Sequence, residues 1–119
     1  MSRAELEAIT NAIKKKLEDA KIILFGSRAR GNYLKNSDID LIIVSKYFRG
    51  KHFTERASLI LKILLEENIE LKHNIELLCY TPEEFEKKKK EIGIVKEALS
   101  HGIELTARET PQNNTHNRL

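Results

Sequence analysis

The pattern that most constrains this chain is a set of three short apolar runs that alternate with longer amphipathic segments. The runs occupy residues 22–25, 39–44 and 75–80, and each is bounded by glycine or by polar residues. Runs of this length that are rich in isoleucine, leucine and valine are typical of buried β-strands. Their alternation with helical segments predicts an α/β (α+β) fold in two layers, with a short mixed β-sheet and helices packed mainly on one face.

The segments around these runs predict the helices. Apolar residues at helical spacing favour a helix over residues 3–18. Thr54 is expected to cap a second helix. The buried stripe predicted for that helix is Ala57, Ile60, Leu61, Leu64 and Leu65.

The clearest helix start is the sequence Thr-Pro-Glu-Glu at 81–84, which offers an N-cap residue, a proline at the first helical position and a glutamate at the third. This helix is expected to pause at Gly93 and then to resume until about residue 100. Residues 103–105 are expected to form a short edge strand.

Composition limits the chain to one modest core, since 40% of its 119 residues are hydrophobic. We expect one domain over residues 1–105 and a disordered tail over 106–119, which has almost no apolar content. There is a single cysteine, no apolar run near ~20 residues and no visible secretory signal, so a cytoplasmic protein without a membrane span is expected. The net charge of +3 is too small to favour direct nucleic-acid binding.

Acidic and basic residues lie unusually close together between the first two apolar runs, in the stretch "GSRARGNYLKNSDID". Asp38 and Asp40 are two residues apart at the start of a predicted strand, so both carboxylates lie on one face. Their repulsion would be relieved by a divalent cation with oxygen ligands, such as Mg²⁺ or Mn²⁺. An ordinary solvated turn is the alternative for this pair taken alone.

The start of the same stretch suits a phosphate group. Gly26 permits a close backbone approach, and Ser27 offers a hydroxyl and an amide. If a short helix begins there, its free amides form an anion site, and Arg28 or Arg30 can bind a phosphate oxygen. The alternative is a basic surface turn after a strand that ends at glycine.

Together, "FGSRARG" and "SDIDLIIVS" resemble the DNA polymerase β-like nucleotidyltransferase superfamily, and especially its smallest members, the minimal nucleotidyltransferases. "TPEEFEKKKK" after the third run resembles the same group. The resemblance implies two metal ions held by Asp38, Asp40 and a third carboxylate that matches Glu76. The nucleotide-binding residues that it implies are Gly26, Ser27, Arg28, Arg30 and Ser37.

The activity implied by this resemblance is the transfer of NMP, AMP from ATP, to an acceptor hydroxyl with release of pyrophosphate. Minimal nucleotidyltransferases are often encoded beside a HEPN-domain protein as a toxin–antitoxin pair, so a HEPN-type partner is expected. A homo-oligomer of this chain is the other assembly that we consider. Position 76 carries Glu where small members more often carry Asp. The alternative function is therefore an inactive or weakly active antitoxin that neutralises its partner by binding alone.

Overall fold

The computed structural model describes residues 3–26, 39–71, 74–91 and 93–105. The strands are β1 (Lys21–Phe25), β2 (Ile39–Val44), β3 (Ile75–Tyr80) and β4 (Ile103–Leu105). The helices are α1 (Arg3–Lys16), α2 (Phe53–Glu66), α3 (Pro82–Lys89) and α4 (Ile94–His101), with a 3₁₀ turn at Lys46–Phe48. All three apolar runs therefore form strands, and residues 103–105 form the fourth, as predicted.

The four strands form one mixed sheet in the order β3-β2-β1-β4. β1 pairs antiparallel with both β2 and β4, whereas β2 and β3 are parallel. Parallel neighbours need a crossover connection, and α2 supplies it. The predicted mixed α+β sheet is confirmed. No helix in the described ranges is long and apolar enough to cross a lipid bilayer.

Helices cover both faces of the sheet. On one face the two 14-residue helices, α1 and α2, enclose the larger core with strand residues such as Leu24, Leu41 and Ile43. On the other face the two 8-residue helices, α3 and α4, pack against Ile23 and Ile42. The two long helices share one face and the two short helices add a layer on the other, so the helices cover both faces, whereas the sequence predicts helices mainly on one.

The buried stripe of α2 differs from the predicted one. Its buried residues are Arg56, Ile60, Ile63 and Leu64, whereas Leu61 and Leu65 are exposed. The helix begins one residue before Thr54, with His52 as its N-cap. The backbone N–H of His52 donates to the Glu55 carboxylate at 2.9 Å. The helix is therefore oriented to bury an arginine, which a purely apolar periodicity cannot indicate.

The start of α3 forms as its sequence predicts. The Thr81 hydroxyl accepts a hydrogen bond from the Glu84 backbone N–H at 3.1 Å, and the Glu84 carboxylate accepts one from the Thr81 N–H at 2.9 Å. Proline occupies the first turn, where its missing N–H costs nothing. The helical segment is interrupted before Gly93, as expected, and α4 follows it.

Candidate active site

Three of the predicted site residues meet at one end of the sheet. β1 ends where β2 begins, with Phe25 opposite Asp40 in the antiparallel register. β2 and β3 begin together, with Asp40 opposite Glu76 in the parallel register. Gly26, Asp40 and Glu76 therefore lie on three consecutive strand ends, although 50 residues of sequence separate the first from the last.

The two carboxylates share a face of the sheet, because residues directly opposite each other on neighbouring strands project to the same side. Their strands lie about 4.8 Å apart, as neighbouring strands do. The shared face is the one packed by α3 and α4, since it also carries Phe25 and Ile42. Asp40 is half-buried and Glu76 is exposed. Two hard oxygen donors at this spacing suit a small divalent cation, which would also offset their mutual repulsion.

Gly26 packs directly against the Asp40 carboxylate. A Cβ atom at position 26 would lie 2.3 Å from Oδ2 of Asp40 and 3.3 Å from its Cγ, so a side chain there would displace the carboxylate. The backbone φ of Gly26 is +78°, a left-handed conformation that favours glycine. The turn thus favours glycine, and the close backbone approach expected from the sequence is made to a carboxylate.

The remaining predicted site residues, Ser27, Arg28, Arg30, Ser37 and Asp38, lie outside the described residues, and their roles stay predictions. Within the described ranges, no cluster of three or more His, Cys, Asp or Glu side chains has metal-binding geometry. The described part of the site contributes Asp40 and Glu76. The third predicted metal ligand, Asp38, immediately precedes β2.

A second polar cluster lies at the opposite end of β3 and was not predicted. The guanidinium of Arg56, on α2, is almost fully buried and donates to the backbone oxygens of Lys51 (2.9 Å) and Cys79 (3.0 Å). It also donates to both Glu84 carboxylate oxygens, at 2.6 and 3.2 Å. The one feature of the sequence that could have indicated its burial is its position four residues before Ile60, which places it on the buried face of α2.

This cluster fixes the end of the strand that carries Glu76. The hydrogen bond from Arg56 holds the pKa of the Glu84 carboxyl below its usual value, so the pair is ionised at neutral pH. Glu84 simultaneously caps α3. Arg56 therefore connects α2, the end of β3 and the start of α3, and so stabilises the register that places Glu76 beside Asp40.

Cys79 is buried in the core face of β3, as expected. Burial raises the pKa of its thiol to about 12. The thiolate is therefore scarce at neutral pH, and the buried thiol is a poor nucleophile in the folded chain.

Comparison with known proteins identifies the family. The family model described as "Nucleotidyltransferase domain" matches residues 6–102, which is most of the chain. A Methanocaldococcus jannaschii protein, provisionally named a protein adenylyltransferase, is 51% identical over 41 residues. That match spans 33% of this chain and 41% of the relative.

Solved structures add evidence on the fold. A Bol-like protein from Babesia bovis superposes with a TM-score of 0.54 at 20% identity, over 76% of this chain and 95% of that one, which shows similarity of fold alone. A Sulfolobus solfataricus protein provisionally described as a nucleotidyltransferase covers 92% of this chain and 93% of its own, at 20% identity. Its TM-score is 0.48.

The match to the family model is the finding that decides the assignment, because it spans both carboxylates and the Gly26 turn. The predicted nucleotidyltransferase family is confirmed by this match. The chain belongs to the nucleotidyltransferase domain family.

Proposed function

We propose that this protein is a metal-dependent nucleotidyltransferase that moves NMP, specifically AMP from ATP, onto an acceptor hydroxyl. The observation that carries the proposal is the pairing of Asp40 with Glu76 on one sheet face, beside the Gly26 turn, whose left-handed φ favours glycine. Two acidic side chains side by side on neighbouring strands repel each other, and a cation held between them would offset that repulsion.

The donor set fits Mg²⁺ or Mn²⁺, with Asp38, Asp40 and Glu76 as the residues that would hold two ions. When bound, such ions neutralise the triphosphate and the charge that develops on its leaving group. Gly26 leaves room for the Asp40 carboxylate, so this ligand is positioned before the nucleotide binds. Glu76 is exposed, which leaves it accessible either to an ion or to the proton of the acceptor hydroxyl.

The triphosphate would be bound by the residues between β1 and β2. Gly26 and Ser27 supply backbone amides and a hydroxyl, and Arg28 and Arg30 supply guanidinium groups that pair with phosphate oxygens. Ser37 would complete the nucleotide contacts from the other end of this segment. Transfer of AMP in particular is suggested by the relative named as a protein adenylyltransferase.

The acceptor that we propose is a tyrosine hydroxyl on a HEPN-type toxin, which makes this chain the antitoxin of a toxin–antitoxin pair. The ground for this is the resemblance of the Gly-Ser and Asp-x-Asp stretches to minimal nucleotidyltransferases. In the competing function, complex formation alone neutralises the partner. In that case, substitutions of Asp40 or Glu76 that leave the fold intact would not affect neutralisation of the partner.

Nucleotide binding is the first test, because it needs no acceptor. Isothermal titration with ATP should show binding with Mg²⁺ and none with EDTA. Asp40→Asn should weaken Mg-dependent binding at least tenfold, since it removes one charged ligand. Glu70→Gln is the matched control, as Glu70 is an exposed carboxylate outside β3. Unchanged binding in Asp40→Asn would refute the assigned site.

Transfer is tested with α-labelled ATP, Mg²⁺ and the product of the neighbouring gene, which the proposal expects to be a HEPN-type protein. Label should move to that protein, and the rate should fall by about 100-fold or more in Asp40→Asn and Glu76→Gln. If the partner is neutralised equally by both variants and no label moves, the protein acts by binding and the enzymatic proposal is wrong.

A further inference from the structure

The outward face of α2 carries an apolar surface that the fold does not use. The side chains of Leu61 and Leu65 are 43% and 75% exposed, and they lie one helical turn apart on the same face. Leu65 is the most exposed large hydrophobic residue in the described chain. Phe53, at 60%, is also exposed, but its ring contacts Tyr80 edge-on and lies 5.2 Å from the Arg56 guanidinium carbon. The two leucines have no such contacts.

Two opposite charges flank the leucines. Lys62 and Glu66 are both exposed and also lie one turn apart on α2. Neither makes an ion pair with any part of the chain that the structure describes, whereas the nearby Glu67 pairs with Lys15 of α1 at 3.3 Å. We call Leu61, Lys62, Leu65 and Glu66 the α2 patch. It combines an apolar centre with one positive and one negative charge.

The α2 patch can pair with a second copy of itself. In a two-fold symmetric contact the same surface faces itself, so each charge must meet its opposite when the patch is rotated by half a turn. If two α2 helices pack antiparallel, Leu61 of one faces Leu65 of the other. In the same arrangement Lys62 faces Glu66, and this pair occurs twice per dimer. A partner of different sequence would not need equal and opposite charges at this spacing.

We propose that the α2 patch is the contact surface of a homodimer formed by antiparallel packing of two α2 helices. α2 lies on the sheet face opposite to the one that carries Asp40 and Glu76. The contact therefore leaves the candidate active site of each subunit accessible. The proposal does not depend on the proposed function, and neither result decides the other.

A helix of 14 residues is about 21 Å long, so the contact is small and the dimer is expected to be weak, with a dissociation constant of about 10–100 µM. Sedimentation equilibrium from about 5 to 500 µM should show reversible dimerisation. Leu65→Gln should raise the dissociation constant at least about tenfold, because each dimer loses two buried leucines. Leu99→Gln, on the exposed surface of α4, is the matched control and should leave it unchanged.

Charge reversal tests the antiparallel geometry itself. Lys62→Glu alone, or Glu66→Lys alone, should weaken the homodimer, since like charges then meet twice. An equimolar mixture of these two variants should form a heterodimer as tightly as the unchanged chain, and the double variant should recover homodimerisation. Thermal unfolding checks that every variant is folded. A chain that stays monomeric at 500 µM overturns the proposal, as does a dimer that is indifferent to Leu65→Gln or to charge reversal.

Discussion

The Arg56–Glu84 pair allows a quantitative test of how the fold holds the strand that carries Glu76. Glu84→Gln keeps the size and the capping oxygen of the side chain but removes its charge. The adjacent Glu83 provides a matched control, because it also accepts hydrogen bonds from an arginine, Arg49, on the exposed surface. Comparing Glu84→Gln with Glu83→Gln therefore shows how much more stability a pair with a buried arginine contributes than a pair with an exposed one.

The expected loss follows from the contacts. Breaking a fully buried ion pair costs about 3–5 kcal/mol. The Glu84 side chain is 42% exposed, so solvent screens part of the interaction, and Arg56 keeps its two backbone acceptors. We therefore expect Glu84→Gln to lower the free energy of unfolding by about 2 kcal/mol at pH 7. For Glu83→Gln we expect no resolvable change, because exposed pairs contribute little.

The loss should depend on pH in a definite direction. The pKa of Glu84 is lower in the folded chain than the 4.5 of an unperturbed glutamate side chain, chiefly because of its hydrogen bond from Arg56. Its charge therefore stabilises the fold fully above pH 4.5, and this stabilisation disappears as the pH falls through the folded-state pKa. The difference between the unchanged chain and Glu84→Gln should be constant from pH 6 to 8 and should shrink towards pH 3.

Urea unfolding followed by circular dichroism measures this difference. With a slope of about 1.5 kcal/mol per molar, the midpoint of Glu84→Gln should lie about 1.3 M below that of the unchanged chain at pH 7. The reasoning is refuted if Glu84→Gln and Glu83→Gln have the same midpoint. It is also refuted if the deficit of Glu84→Gln persists undiminished at pH 3.

Two further predictions concern Gly26 and Cys79. Gly26→Ala and Gly50→Ala should each lose about 1 kcal/mol of stability, since both glycines have a φ of +78°. Only Gly26→Ala should also lose Mg-dependent ATP binding, because its Cβ meets the Asp40 carboxylate, while nothing lies within 4 Å of a Cβ at position 50. Equal ATP binding by the two variants would contradict this role for Gly26. Cys79, with its raised pKa, should react with a disulfide reagent at pH 8 only as fast as the chain unfolds; a rapid reaction in the absence of urea would contradict its burial.

The strands were predictable because both faces of the sheet are covered. A strand buried on both sides is a continuous apolar run, and residues 39–44 match β2 without an error at either end. The Thr81 cap was predictable because its partners lie within three residues. These features are local in sequence, so a single sequence contains the information that specifies them.

The pairing of Asp40 with Glu76 could not be derived in this way. It depends on β3 being parallel to β2, and strand order arises from contacts between distant residues. The resemblance to a family was needed to connect the two carboxylates. The α2 stripe was wrong for a related reason: its leucines occur on two neighbouring faces, and the acceptors that bury Arg56 belong to other segments. Helical periodicity alone therefore could not decide which leucines face the core.

The strand order also means that the two strands carrying the carboxylates open at different rates. Asp40 is on β2, which is paired on both sides, whereas Glu76 is on β3, at one edge of the described sheet. Edge strands open in local fluctuations that leave the rest of a fold intact, whereas central strands open only with the whole domain. The candidate site can thus come apart and re-form while the core persists. A ligand that bridges both strands would slow amide hydrogen exchange in β3 far more than in β2.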